Sequence, residues 1–195
     1  SLVDADLVSN VDGGYRTTRT GRLALTRYET LRSDVQRVLD ASPVVDAIPA
    51  NVRLSARTVA KSTTHQIDPH DVPDLVREAL NGSNSVHAAL PRLSDSVVLN
   101  TYREHAGPET RTRLVLSPSL ADALVDRLPT QSRRLATADV RVYRGDVSDV
   151  GIVVCRGDTD RALLIAYTGF GGVAGVLELT DPEVIDRLAD RVDDR

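Results

Sequence analysis

The sequence predicts an α/β domain with a mixed sheet, preceded by a small hairpin and a long helix. Two observations predict the sheet. From Leu54 to Tyr143, short apolar runs alternate with amphipathic segments of helical period, which is the pattern of strands joined by crossover helices. From Val150 to Leu179, three apolar runs follow one another with only glycine- and aspartate-containing turns between them, which is the pattern of an antiparallel meander.

In chain order, residues 1–6 read as the last turn of a helix, with Ser1 falling where that helix is already under way, so further sequence is expected upstream, with the trimming of an initiator methionine alone as the alternative. Leu7 to Val11 and Tyr15 to Thr17 read as paired strands. Asp12-Gly13-Gly14 between them supplies the positive φ angles of a tight turn. Thr18 is placed to cap a helix running from about Arg19 to Ala41. On that helix Ala24, Tyr28, Leu31, Val35 and Val38 recur at alternating spacings of four and three, a heptad seam suited to pairing with a second copy. Packing on its own domain is the alternative. Ser42-Pro43 ends the helix, and an apolar turn leads to Ile48-Pro49.

Leu54 to Lys61 then reads as a first strand and Ser62 to Gln66 as a polar loop. Asp68-Pro69 has the residues of a helix start, aspartate as N-cap and proline at the first position, with Val72, Leu75, Val76, Ala79 and Leu80 inward. A strand from Ser85 to Leu90, a helix opened by Ser94-Asp95, a strand from Arg113 to Leu116 and a helix opened by Ser117-Pro118 with Leu120, Leu124 and Leu128 follow. A short helix around Ser132 to Thr137 leads to a strand from Val140 to Tyr143. Asp181-Pro182 opens the closing helix, with Val184, Ile185, Leu188 and Val192 on its buried face.

The chain has 195 residues and is 41% hydrophobic, enough for a sizeable core, but its single Phe and lack of Trp and Met mean that Val, Leu, Ala and Ile must fill it. Its basic residues are 23 Arg and one Lys, its acidic residues 22 Asp and 6 Glu. Short, strongly hydrated acids with almost no lysine point to a salt-adapted cytosol, with a GC-rich genome as the rival explanation. The net charge of −4 argues against a generally basic nucleic-acid surface and leaves room for a local one. One cysteine, Cys155, excludes an internal disulfide and any cysteine-rich zinc site, and its apolar surroundings make it a buried thiol. No signal peptide and no apolar run of membrane-spanning length is present, so a cytoplasmic protein without a membrane partner is expected.

Several chemistries are excluded. The only lysine, Lys61, follows Ala60, so no phosphate-binding Gly-x-x-x-x-Gly-Lys-Ser/Thr loop exists. Gly169-Phe170-Gly171-Gly172-Val173-Ala174 imitates a dinucleotide fingerprint, but β sequence follows it where a helix N-terminus should face the pyrophosphate. His65 and His70 are the only close histidine pair and straddle a helix start, so no helical face presents both, and no metal or cofactor is expected. No Gly-x-Ser-x-Gly elbow exists, and nothing singles out Ser62, Ser85 or Ser94 as a nucleophile. No catalytic set is assigned, and the protein is not expected to be an enzyme. What remains is the hairpin tip and helix start, where Tyr15, Arg16, Arg19 and Arg22 occur with no acid among them, a set suited to phosphate and sugar contacts.

The segment Leu2-Val3-Asp4-Ala5-Asp6-Leu7-Val8, followed by Gly13-Gly14-Tyr15-Arg16-Thr17-Thr18 and then Gly21-Arg22-Leu23-Ala24, resembles the back half of an archaeal winged helix-turn-helix domain. Ser1 to Ala5 match the end of the recognition helix, and Tyr15 to Gly21 match the wing and its exit. Asp6 stands where glycine is commoner and Thr17 where leucine is commoner. From about Leu54 to Arg191 the chain resembles the middle domain of methanogenesis-regulatory, filamentation-regulator proteins. That likeness rests on Val72-Pro73, on Arg113-Leu114-Val115-Leu116-Ser117-Pro118 and on the closing Asp181-Pro182 helix. This domain type is similar to the phospholipase-D-like domain of sugar-sensing regulators, although the catalytic His-x-Lys pair is absent.

The resemblance implies a partial winged-helix remnant in residues 1–22, a linker and possible dimerisation helix in 23–50, and an α/β effector-sensing or interaction domain in 51–195. It implies a homodimeric transcriptional regulator whose complete form binds double-stranded DNA and whose α/β domain takes a small-molecule effector. A chain starting at Ser1 is expected to bind DNA poorly. A small-molecule-metabolising α/β enzyme and a non-sensing dimerisation module are the alternatives.

Overall fold

A computed structural model of the protein describes residues 1–68, 70–92, 96–105, 110–127, 140–145, 147, 149–169 and 172–194. The first strands, β1 (Val8–Val11) and β2 (Gly14–Thr17), form a separate hairpin. There follow α1 (Arg19–Asp40), α2 (Ser42–Val45), α3 (Ala56–Lys61), β3 (Thr63–His65), α4 (Val72–Leu80), β4 (Ser83–Leu90), α5 (Ser96–His105), β5 (Arg111–Leu116), α6 (Pro118–Arg127) and β6 (Val140–Arg144). The chain closes with β7 (Val150–Gly157), β8 (Arg161–Tyr167), β9 (Val173–Leu179) and α7 (Pro182–Asp193).

Seven strands make one mixed sheet in the order β3-β9-β8-β7-β4-β5-β6. The neighbours β4, β5 and β6 run parallel, as strands separated by helical crossovers must. Pairs β4–β7, β7–β8, β8–β9 and β3–β9 are antiparallel. The expected α/β class with a mixed sheet is therefore the observed one.

Both faces of the sheet are covered, which is why β7 and β8 read as almost unbroken apolar runs. Alternate residues divide between two cores. Val153, Cys155, Leu163, Ile165 and Val176 pack with Val76 and Leu80 of α4, Tyr102 of α5 and Leu120 and Leu124 of α6. Ile152, Val154, Leu164, Ala166 and Leu177 pack with Val184, Ile185, Leu188 and Val192 of α7 and with Ala41 and Val44. Burying each such aliphatic side chain stabilises by roughly 1.5–3 kcal/mol before conformational entropy is counted. Cys155 is fully buried, and burial pushes its thiol up to about 12, so it is an inert packing residue in the folded protein.

Three local readings are corrected. Leu54 to Lys61 does not form a strand. Ala56–Lys61 is helix α3, because the Ser55 hydroxyl accepts the Thr58 N–H at 3.0 Å and Thr58, Val59 and Ala60 turn into the core. Residues 63–65, within the presumed polar loop, are strand β3, added to the sheet through β9. Helix α4 starts at Val72 rather than at Pro69, with Pro73 in its first turn, where a missing N–H costs nothing. Asp68 closes a turn instead, its carboxylate accepting the His70 N–H at 3.0 Å. The short helix around Ser132 to Thr137, the start of α5 at Ser94-Asp95, Leu128, and Phe170-Gly171 of the glycine-rich turn lie outside the described residues.

Leu164 is completely buried under α7, whereas Val125 on α6 is 62% exposed. Leu164→Ala is expected to lower the free energy of unfolding by about 2–5 kcal/mol and Val125→Ala by less than about 0.5. Equilibrium denaturation of the two variants checks the assignment of the core face.

Candidate functional site

The hairpin is joined to α1 by a small set of backbone contacts. Residues 1–7 close like a helix C-terminus: Leu7 N–H donates to Leu2 O and Asp6 N–H to Val3 O, both at 2.9 Å, with Asp6 left-handed at φ 55°. Aspartate tolerates that conformation better than most residues, which accounts for its standing where glycine is commoner. The strands pair Asn10 with Tyr15 and Val11 with Gly14 around the two-residue turn Asp12-Gly13. Of the three turn residues only Gly13 uses a positive φ, 89°.

Thr18 fastens this unit to the helix. Its hydroxyl donates to Asp6 O at 2.6 Å, accepts the Gly21 N–H at 2.9 Å, and its own N–H donates to Leu7 O at 3.1 Å. Gly21 is the one buried residue of α1, and a Cβ there would lie 1.8 Å from Leu7 O. The Thr18-x-x-Gly21 spacing thus combines an N-cap with a backbone contact that no side chain can share.

The four residues read as a DNA contact lie together on this unit. Tyr15 is 71% exposed, Arg16, Arg19 and Arg22 are exposed, and Arg22 Nη1 donates to Thr17 O at 3.2 Å. On α1 the proposed seam divides. Ala24, Tyr28, Leu31 and Val35 face solvent, whereas Val38 is half-buried against the α7-side core. The base of α1 is anchored there: Arg37 Nη1 donates to Ala60 O at 3.2 Å and Gln66 Nε2 to Asp40 O at 3.1 Å.

Hollows lie on the α/β domain. A groove of about 570 Å³ lies between α4 and α5, where among the described residues Leu80 is the one aliphatic residue beside Arg77, Glu78, Thr101, Glu104 and His105. A smaller one of about 180 Å³ lies between Lys61 and the start of α7. The histidines do not converge. His65 Nε2 meets Glu178 Oε2 at 3.0 Å, His105 Nε2 meets Ser83 Oγ at 3.0 Å, and His87 lies on the other face of β4 from the α4–α5 core. Among the described residues no group of three or more His, Cys, Asp or Glu side chains is placed to hold a metal ion, and no helix is long and apolar enough to cross a membrane.

One constellation was not legible in the sequence. Ser85 Oγ lies 3.2 Å from His87 Nε2, and His87 Nδ1 lies 2.7 Å from Asp193 Oδ1. The spacing of Ser85 and His87 on one strand places them on one face. Nothing local announces Asp193, which α7 brings back across 106 residues.

An α/β domain with a mixed seven-stranded sheet and a hairpin-and-helix arm defines the class. Residues 69–191 match the family model described as methanogenesis regulatory protein FilR1, middle domain, and the chain belongs to that family. No curated protein sequence matches it. Among solved structures, TrmBL2, described as an archaeal chromatin protein with a novel mode of DNA binding, is similar in fold with a TM-score of 0.53 at 10% identity. That likeness covers 99% of this chain and 76% of TrmBL2. Polyphosphate kinase from Porphyromonas gingivalis has a TM-score of 0.53 at 12% identity over 71% of this chain and 27% of the kinase.

Gly21→Ala is expected to pull the hairpin from α1 while leaving the sheet intact. Amide exchange of residues 7–18 should quicken markedly and that of β7 and β8 should stay unchanged, as read by hydrogen-exchange mass spectrometry.

Proposed function

We propose that the protein is a DNA-binding transcriptional regulator and that this chain is mainly its dimerisation and effector portion. The observation that carries the reading is the unit built on Asp6, Thr18 and Gly21: a helix-end turn, a two-stranded hairpin and a following helix, locked in the order of a winged-helix exit. Membership of a regulatory family supports it, as does the fold shared with a protein described as DNA-binding over almost all of this chain. In this reading the hairpin is the wing. Arg16, Arg19 and Arg22 hydrogen-bond phosphates, and Tyr15 packs on a sugar. In a salt-adapted cytosol counterion release contributes little, so operator choice falls to shape and base contacts elsewhere in the complete protein.

The exposed stripe Ala24, Tyr28, Leu31 and Val35, continued by Val38 at its base, pairs two copies along α1. The α4–α5 groove takes a small polar effector, whose differential binding to two dimer geometries biases the wings. The protein acts in the cytoplasm, and its part in regulation is binding of DNA and effector.

In the complete protein, Arg16→Ala with Arg19→Ala should weaken binding to specific and non-specific duplexes alike by about tenfold or more. It should also reduce the slope of log K against log salt by about 2. Unchanged affinity at matched salt would remove the wing from the interface. Separately, Val35→Asp should bring the mass in light scattering down to the single-chain value of 21.1 kDa. A mass that stays at two chains puts the seam elsewhere.

A further inference from the structure

The polar site on the sheet face beside α7 has no part in the regulatory reading. Strand β4 presents Ser85 and His87 on the face that also carries Val154 of β7 and Arg113 of β5 as lateral neighbours of His87. Two Ser–His pairs involve this strand, and they differ chemically. Ser83 Oγ donates to Leu80 O at 2.7 Å, and His105 Nε2 also approaches Ser83 O at 3.3 Å. The Ser83 proton is therefore committed to a carbonyl, and His105 Nε2 faces an oxygen that only accepts. The other pair is arranged for proton transfer. Among the described residues the Ser85 hydroxyl has no hydrogen-bond partner besides His87. Asp193, accepting from Nδ1–H at 2.7 Å, leaves Nε2 bare toward that hydroxyl at 3.2 Å.

The orienting carboxylate is itself held. Arg113 Nε lies 3.4 Å from Asp193 Oδ1, and its Nη2 donates to Asp193 O at 3.0 Å. The guanidinium stacks on Tyr143, 4.1 Å from the ring centroid. The preceding residue, Val192, is fully buried, which pins the last turn of α7 to the sheet. The reacting end stays accessible: Ser85 is half-buried and the His87 side chain is 25% exposed.

We infer that Ser85, His87 and Asp193 form a serine-nucleophile triad that accepts acyl groups from small activated esters. Ser85 Oγ attacks the ester carbonyl carbon while His87 Nε2 takes the hydroxyl proton. Collapse of the tetrahedral adduct breaks the bond to the leaving oxygen, which receives that proton from His87. Water, deprotonated by His87, then cleaves the acyl-serine, releasing the carboxylic acid and restoring the Ser85 hydroxyl. The substrate class follows from the strand setting. From Ser85 onward β4 is laddered to β5 and β7, so among the described residues no pair of converging N–H groups is seen on the Ser85 and His87 face. Arg111, exposed and paired with Ser85 on β5, supplies a cation on the same face in its place. Such a site suits aryl esters, whose leaving groups depart readily, and not amides.

The test is covalent capture on the intact chain. A fluorophosphonate probe and p-nitrophenyl acetate are each added to the folded protein, and adducts are mapped by peptide mass spectrometry. Both should modify Ser85, and Ser85→Ala should abolish the adduct. His87→Gln should slow labelling by about 100-fold or more, the contribution of a lost general base, and Asp193→Asn should slow it to a lesser degree. An unmodified Ser85 in a protein with native circular dichroism overturns the inference, as does labelling indifferent to His87→Gln, or acetylation confined to the imidazole. If Ser85→Ala does not fold, Ser85→Cys keeps a nucleophile in place. Its acylation should still depend on His87, and independence would overturn the inference equally. The outcome does not depend on whether the hairpin binds DNA, so the two readings fail separately.

Discussion

The pairing of β4 with β7 is the constraint on which the α/β domain depends. On one side β4 begins the parallel set β4-β5-β6, and on the other it meets the meander β7-β8-β9 antiparallel. Everything chemically distinct about the domain's two halves joins at this seam. The two strands come together at Gly82 and Gly157. Gly82 sits at φ 75°, its carbonyl accepts the Asp158 N–H at 3.2 Å, and a Cβ on Gly157 would lie 2.2 Å from that same carbonyl. The register shift between Ser83 and Ser85 then sets which β4 residues face which core. Val86, Ala88 and Leu90 go to the α4–α5–α6 side, and Ser85, His87 and Ala89 go to the α7 side. A slip of one residue would bury His87 among leucines and move Val86 to the polar edge of the α7 face, a penalty that fixes the register.

A chain with one Phe and no Trp builds such a sheet by making its covers close-fitting. Gly175, at φ 152°, shows how close. A Cβ there would lie 2.5 Å from the Val44 side chain, so α2 rests directly on the β9 backbone. The cores are accordingly two thin layers of Val, Leu, Ala and Ile. They leave a polar edge on the α7 face, where His87, Arg113 and Asp193 contact one another across three elements.

What the sequence made legible follows from locality. The Asp12-Gly13 turn, the Thr18 cap, each strand of the meander and the Asp181-Pro182 helix start are written in two to eight adjacent residues, and each is where it was expected. The α3 region failed because eight residues with Leu54, Ala56, Val59 and Ala60 as their apolar positions fit helix and strand alike, and the cap at Ser55 decided it. The start of α4 failed because Asp68-Pro69 and Asp71-Val72-Pro73 both carry helix-start residues three apart, and only the packing of Val72 and Val76 selects the second. Thr63 to His65 carries little strand signal of its own, and its pairing with β9 supplies what propensity does not. The Ser85–His87 pair was visible as residue types but not as a site, since its third member comes from the far end of the chain.

The arm places a physical limit on how the regulatory reading works. Helix α1 has 22 residues and so spans about 33 Å, with the hairpin at one end and the sheet domain at the other. Over most of that length its residues are exposed among the described residues of its own chain, and Gly21 is its only buried residue. An event in the α/β domain can therefore reach the hairpin only by moving α1 as a lever or by changing how two such helices pair. At the base the helix is tied to α3 through Arg37 and to the start of the sheet domain through Gln66, and Val38 is packed into the α7-side core. These contacts make the lower end of α1 part of the domain. A shift of α3 or β3 would thus be carried into the direction of the whole arm, and a small angular change at the base becomes a displacement of several ångströms at Arg16 and Arg19. In the proposed dimer, Val35 and Val38 are the stripe residues nearest this base. Tyr28 and Ala24 lie farther along the exposed length of α1, away from the sheet domain.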